Sequence, residues 1–372
     1  MMKIPLVNLK GQTLEIIEDV INDIRSLALN GQFVGGDHRV NFERDFASFS
    51  HSDYCVGVAN GTDALELTLK AFNLSPGDEV IIPANSFFAS YEAVVNTGLV
   101  PVLVDINESD YLIDVKEVKK AITNKTRVVM GVNLYGNCCD LGALREIADA
   151  HNLYLVVDCA QGHGGFHKKE PLTKYAHCVT YSFYPGKNLG AWGDAGAVCT
   201  NDPLIHDCVK SLSNHGRLTE KYQHHLIGVN SRLDNIQAAV LNQKLKHLEK
   251  WTDARQQSAQ LYNSSLSKHK NLILPINHSD RAEHVYHLYV VRLINIDRNE
   301  LFEYLQNAGI SPGLHYPIPI NLQPGYIKTG FDFFPVSEQL ASEIISLPLC
   351  SHITKNEIEF VCGQINSFLS HN

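Results

Sequence analysis

The 372-residue chain carries 31 Lys and Arg against 40 Asp and Glu, a formal net charge of -9, with 44% of residues apolar and 19% charged. That balance is the composition of an ordinary globular protein, and it excludes the basic face of a nucleic-acid binder. No stretch approaches the ~20 apolar residues of a membrane helix, and MMKIPLVNLKGQ shows no secretory pattern, so a cytoplasmic protein with no membrane partner is expected.

A chain this long exceeds one small core, and a large domain over 1–235 with a smaller one over 236–372 is the expected division. The nine cysteines are scattered and odd in number, without any C-x-x-C, so they read as reduced, mostly buried thiols rather than a disulfide framework or a metal site.

In chain order, DALELTLKAF places Leu65, Leu69 and Phe72 on one helical face, and PGD ends that helix. EVIIP is a short apolar strand stopped by Pro83, SFFASYEAVVNTG a helix ending at Gly98, and VPVLVDI the next strand. TRVVMGVNLYG, a helix from about Asp140 to Ala150, LYLVVDCA, HCVTYSFY and AGAVCT follow. Apolar strands alternating with helical patterns predict βαβ units and a mainly parallel sheet covered on both faces. Beyond Arg232, the residues Ile236, Val240, Leu241, Leu245, Leu248 and Trp251 predict one long helix leading to the second domain. That domain carries a strand signal, HVYHLYVVRL, and a Gly/Pro-rich loop around His315 and Tyr316.

In a sheet of this kind ligands bind beyond the carboxyl ends of the strands, which selects Asn60–Asp63, Pro83–Phe87, Asp158–His163 and Tyr184–Asn188. ANGTDAL turns from a strand into a helix, where backbone N–H groups, the bare Gly61 and the Thr62 hydroxyl suit a phosphate; a helix cap without any ligand reads the same way. Asp158 ends an apolar strand and needs a cation or hydrogen-bond donors there; a helix cap or a salt bridge is the plainer reading. Lys187, in SFYPGKNLG, is a solvated loop charge, a phosphate clamp or a covalent nucleophile when read alone. Together the three match pyridoxal phosphate: a helix N-terminus for its phosphate, a carboxylate for its ring nitrogen, a lysine for its aldehyde. Phe87 offers a flat apolar face for the ring. Neither G-x-x-x-x-G-K-[ST] nor G-x-G-x-x-G occurs. His163 and His167 stand four apart with Gly164 and Gly165 between them, which reads as a surface loop rather than a metal pair.

The blocks NGTDAL, PGDEVIIPANSFFAS, VDCAQGHG, SFYPGKNLGAWGDAGA and GVNSRLDNIQAA resemble, in order and over nearly the whole chain, the sugar-nucleotide aminotransferases of the DegT/StrS class. KYQHHLIGVNSRLDNIQAA is most similar to the branch acting on dTDP-3-oxo-6-deoxyhexoses. The resemblance implies the aspartate aminotransferase fold (type I): an α/β large domain with a mainly parallel seven-stranded sheet flanked by helices, plus a smaller C-terminal α/β domain. It implies that Lys187 carries pyridoxal 5'-phosphate as a Schiff base, that Asp158 pairs with the ring nitrogen and that Gln161 meets the phenolic oxygen. Gly61, Thr62, Asp63 and Ser182 would lie at the phosphate and Phe87 on the ring face. The family's homodimer would bring Asn230 to the neighbouring subunit's cofactor. Tyr184, His315 and Tyr316, with Tyr222 and His224 of the KYQHH stretch, would lie near the sugar. Asn321 stands where histidine often appears, and Cys159, Gly186 and Ala195 also depart from the pattern.

The implied activity is transamination of a nucleotide-linked 3-oxo-6-deoxyhexose by L-glutamate, giving a dTDP-3-amino-3,6-dideoxyhexose and 2-oxoglutarate for cell-surface glycan synthesis. A 4-oxo-sugar nucleotide aminotransferase is the alternative. A related dehydratase would have histidine at the position of Lys187, a regulator would show a damaged constellation, and an amino-acid aminotransferase would need an arginine beside His315.

Overall fold

The computed structural model describes residues 3–277, 282–327 and 333–371. Two helices, α1 (Leu9–Asn30) and α2 (Asp37–Phe49), precede β1 (Tyr54–Val58) and α3 (Gly61–Ala71). Next come β2 (Glu79–Pro83), α4 (Ala89–Asn96), β3 (Val100–Val104), α5 (Val115–Ala121), β4 (Thr126–Val132) and α6 (Leu141–His151). The first sheet is completed by β5 (Tyr154–Asp158), β6 (Cys178–Ser182) and β7 (Gly196–Thr200). After α7 (Pro203–Leu212), α8 (Asn235–Leu245) and α9 (Leu248–Leu266), the remaining elements are β8 (Leu272–Ile273), β9 (Tyr289–Leu293), α10 (Arg298–Asn307), α11 (Pro335–Glu343), β10 (Ile344–Leu347) and α12 (Lys355–His371).

The seven-stranded sheet has the order β1-β7-β6-β5-β4-β2-β3. Its inner pairings, β2–β3, β2–β4, β4–β5 and β5–β6, are parallel, and β7 runs antiparallel to both of its neighbours. The expected mainly parallel, seven-stranded α/β sheet is what the chain forms. Its strands are apolar throughout because both faces are covered. Alternate residues feed opposite cores: Val129, Leu155, Val157 and Val179 pack on one side with Phe42, Leu144 and Leu241. Val128, Met130, Val156 and Cys178 pack on the other with Leu65, Val94 and Val209. A period of two residues puts neighbours on opposite faces, so one run of valines serves both layers.

The second sheet, β10-β9-β8, is antiparallel and carries its own core, including Tyr262, Tyr289, Leu301 and Val361. Ile4 joins that core and bridges to Ile310, so the chain's first described residues lie with this later layer.

Two expectations change. The long helix is two, parted at Lys246–His247, and the break lets α8 lie on α1 and α2 while α9 packs against α12. The strand in HVYHLYVVRL starts only at Tyr289. The residues before it form a strap instead, because the Val285 and Leu288 N–H groups donate to Gly136 O and Tyr135 O of the first layer. Among the described residues no helix is long and apolar enough to cross a membrane.

Candidate active site

The carboxyl ends of β1, β4, β5 and β6 lie along one edge, fixed by register: Val132 faces Asp158, Asp158 faces Thr180, and Ser182 and Val58 both face Gly196. At this edge Asn60 caps α3, its Oδ1 accepting from the Asp63 N–H at 2.8 Å. Such a cap leaves the first backbone N–H groups of α3 free for an anion. Gly61 is needed for the approach of α3 to β6: a β-carbon on it would stand 2.6 Å from the Ser182 β-carbon. Thr62 and Asp63 complete the first turn of α3, so Gly61, Thr62, Asp63 and Ser182 form one small cradle.

Asp158 is 7% exposed. Its Oδ1 accepts from the Ala160 N–H at 3.0 Å and its Oδ2 from the Ser90 hydroxyl at 3.2 Å, which is itself paired with Ser86 at 2.8 Å. Burial raises its pKa above the usual carboxylate range, although the Ala160 N–H, the charge of Lys187 and Ser90 all oppose the rise. A cation placed against so desolvated a carboxylate favours its charged form. A protonated ring nitrogen is such a cation.

Lys187 sits in the turn after β6, with its N–H on Tyr184 O at 2.8 Å. Desolvation lowers its pKa to about 8, against the pull of Asp158. An amine with that pKa is partly neutral near pH 7 and serves as a nucleophile or base. Three imidazoles near it are held neutral by burial and by its charge: His163 falls to about 3, His315 to about 4, and His287 well below its usual value.

Gln161 links the two layers. Its Oε1 accepts from the Tyr135 N–H at 2.6 Å and its Nε2 donates to the Tyr316 hydroxyl at 3.1 Å. Tyr316 also meets the ring of Phe87, centroid to centroid 5.6 Å, and burial raises its phenol above the ordinary range. His315 Nδ1 lies 2.8 Å from the Ser346 hydroxyl. Phe87 and Tyr184 stay exposed at the rim.

The fold thus brings together Gly61, Thr62, Asp63, Phe87, Asp158, Gln161, Ser182, Tyr184, Lys187, His315 and Tyr316 at one edge. These residues suit pyridoxal phosphate: a cradle closed to any side chain at Gly61, a buried carboxylate, and a desolvated amine whose charge it feels. Tyr222, His224 and Asn230 lie on an exposed loop whose bonds return to its own stem: His224 Nδ1 to His215 O at 2.7 Å, and Asn230 bridged to Asn214.

The surface-loop reading of His163 and His167 is overturned. Both are fully buried, His163 Nε2 on Ser182 O at 2.9 Å and His167 Nε2 accepting from the Gly142 N–H at 3.3 Å. Glycines beside them mark tight packing against Cys159 and Phe49, not an open loop. Sequence reasoning also passed over Ser90 and Tyr135, which have no motif of their own. Asn321 is buried with its Nδ2 on Glu338 Oε1 at 2.8 Å, so its amide braces α11.

The chain matches the model of the DegT/DnrJ/EryC1/StrS aminotransferase family over residues 14–366. It is 39% identical over 368 residues to the erythromycin biosynthesis sensory transduction protein EryC1 of Saccharopolyspora erythraea, covering 98% of this chain and 100% of that one. It is 38% identical over 366 residues to the dTDP-3-amino-3,6-dideoxy-alpha-D-galactopyranose transaminase of Aneurinibacillus thermoaerophilus, covering 98% and 99%. Its fold superposes on the crystal structure of S. venezuelae DesV in complex with a ketimine intermediate with a TM-score of 0.95, at 37% identity and over 99% of each chain.

Proposed function

The chain belongs to the DegT/DnrJ/EryC1/StrS aminotransferase family and is a pyridoxal-phosphate-dependent sugar-nucleotide aminotransferase, and on that footing we propose that it aminates a dTDP-linked 3-oxo-6-deoxyhexose at C3, with L-glutamate as donor. The observation that carries the residue roles is the pairing of a desolvated Lys187 with a buried Asp158 beside the Gly61–Ser182 cradle. The dTDP-3-amino product named for the Aneurinibacillus relative supports the choice of nucleotide and carbon.

Bound in this crevice, pyridoxal phosphate supplies an aldehyde that takes up amines and a ring that withdraws electrons from the carbon beside them. The N-terminus of α3, with Thr62 and Ser182, would hold the phosphate. Asp158, braced by Ser90 and Ala160, would hold the proton on the ring nitrogen. Gln161, fixed by the Tyr135 N–H, would meet the phenolic oxygen. Lys187 would be the tether and then the base, its Nζ carrying the proton between the α-carbon of the donor and the cofactor's C4' carbon. Tyr316 and Phe87 would close the ring face against water.

The same reading makes the protein a cytoplasmic homodimer, with 1–235 as the cofactor-binding domain and 236–372 as the smaller one. Phe33, Val34, Leu218, Leu226 and Ile227 are exposed, Ile227 at 99%, and surface of that kind favours a second copy. That copy's site would receive Asn230, with Tyr222 and His224 at the sugar.

A coupled assay with L-glutamate and a panel of dTDP- and UDP-linked 3-oxo and 4-oxo hexoses, with the new amine located by NMR, tests the substrate. Amination at C4 alone overturns the carbon assignment, and turnover of UDP-sugars alone overturns the nucleotide. Replacing Lys187 with Ala or Arg is expected to abolish both turnover and the imine absorbance; full activity in either variant overturns its role.

A further inference from the structure

The strap before β9 reaches across to the residue that follows Lys187. Asn188 is 1% exposed, and its Nδ2 donates to Val285 O at 3.1 Å. That bond fixes the amide's orientation, so Asn188 Oδ1 can only accept, and His287 Nδ1, at 3.2 Å, must be the donor. The His287 imidazole is therefore the neutral tautomer carrying its proton on Nδ1.

The strap has little freedom elsewhere. The Val285 and Leu288 N–H groups donate to Gly136 O at 2.9 Å and Tyr135 O at 3.1 Å. Gly136 has a φ of +94°, and a β-carbon there would stand 2.7 Å from the His287 nitrogen, so the close approach requires glycine. From the other layer, Arg255 Nη1 donates to Tyr286 O at 3.2 Å and to His287 O and Leu349 O, both at 3.3 Å. His287 is thus held from behind by α9 and hands its one free proton to Asn188.

We propose that Asn188 and His287 form a latch that sets the position and desolvation of Lys187, making both positioning residues for the transamination and tying the lysine to the C-terminal layer. The latch rests on the assignment of Lys187 as tether and base. It works through placement: Asn188 anchors the backbone one residue from the amine, and an apolar or shortened partner would leave a buried amide oxygen without its donor. The charged and titratable groups around Lys187 are Asp158 on β5, His163 after it, His315 in the Gly/Pro-rich loop, His287 on the strap, and Arg255 behind the strap. With the latch open, water reaches the amine and the cause of its lowered pKa weakens.

Three variants test this: His287→Leu, which cannot donate; His287→Gln, whose amide N–H can replace the imidazole proton; and Asn188→Ala, which removes the acceptor. Two readouts are taken. The first is the pH dependence of Lys187 acetylation by acetic anhydride in the cofactor-free protein, followed by mass spectrometry; the second is kcat and KM in the loaded enzyme. The latch predicts that His287→Leu and Asn188→Ala raise the Lys187 midpoint from about 8 towards the ordinary lysine range. A misplaced reacting group costs on the order of a hundredfold in rate, and that is the expected fall in kcat, with KM for either substrate little changed. His287→Gln is expected to recover most of kcat and the wild-type midpoint. If His287→Leu does not fold, Asn188→Ala decides. An unmoved midpoint in the folded variants, or Leu and Gln falling equally, overturns the latch. Absence of imine absorbance in the wild type would instead overturn the role of Lys187, an outcome the acetylation midpoint does not share.

Discussion

The Gly61→Ala substitution isolates what the cradle depends on. Gly61 has no left-handed φ, so its need for glycine is steric alone. A methyl there would meet the Ser182 β-carbon at 2.6 Å and its α-carbon at 3.2 Å. Carbon atoms in contact settle at about 3.5–4.0 Å, so α3 and the end of β6 must part by about 1 Å. Forced overpacking of this kind costs about 1–3 kcal/mol. Because the parting falls between the α3 N-terminus and Ser182, most of it should appear as lost cofactor affinity, roughly one to two decades at 1.4 kcal/mol per decade. The assay is titration of the cofactor-free protein with pyridoxal phosphate, followed by absorbance, with the thermal midpoint recorded alongside. Adding Ser182→Gly to Gly61→Ala removes the nearest atom and leaves the 3.2 Å contact with the α-carbon. Affinity should then return in part, less the lost Ser182 hydroxyl. A Gly61→Ala protein that binds the cofactor as tightly as wild type refutes the cradle.

Ser90→Ala removes the hydroxyl that holds Asp158 Oδ2 at 3.2 Å. A hydrogen bond to a charged group is worth about 1.5–3 kcal/mol, so kcat should fall roughly 10- to 100-fold with the fold intact; an unchanged kcat would show that Asp158 needs no brace. Phe46→Ala empties a site that is 0% exposed and edge-on to Tyr181 and Phe183 at 4.9 and 5.2 Å. Urea unfolding should report a loss of about 3–5 kcal/mol, with KM unaffected wherever the variant is folded. Lys244 is 2% exposed on the apolar face of α8, and burial alone lowers its pKa from 10.5 to about 8. A folded pKa below the unfolded one means the unfolded chain binds more protons, so the penalty is full below pH 8 and gone above 10.5. Lys244→Met should stabilise the protein at pH 7 by up to roughly 3 kcal/mol and much less near pH 10.5, a difference read from urea midpoints at the two values. Destabilisation at pH 7 would mean that the buried ammonium has a compensating partner.

What the sequence made legible is whatever rests on short-range pattern. The strands of the first sheet are runs buried on both faces, and their ends carry Asp158 and Lys187 to one edge whatever the details of packing. The Asn60 cap and Gly61 belong to a single local turn, so they too were readable. The rest depends on pairings between distant residues that share no period. Nothing in HVYHLYVVRL distinguishes its first half from its second, yet Tyr289–Leu293 pairs with β10 while Val285 and Leu288 are captured by a carbonyl pair at Tyr135–Gly136. That capture is possible only because Gly136 lets a second backbone come within contact, and the requirement for glycine shows at Gly136, not in the strap. His163 and His167 were misread for a related reason: the glycines around them looked like freedom, whereas Gly162 is pressed on Cys159 and Gly164 touches Phe49. A glycine run therefore signals close packing as readily as an open loop, and only the partner's identity separates the two. The groups that brace the proposed anchors, Ser90 at Asp158 and Tyr135 at Gln161, lie far away in sequence, which is why those anchors were visible from the residues and the groups that aim them were not.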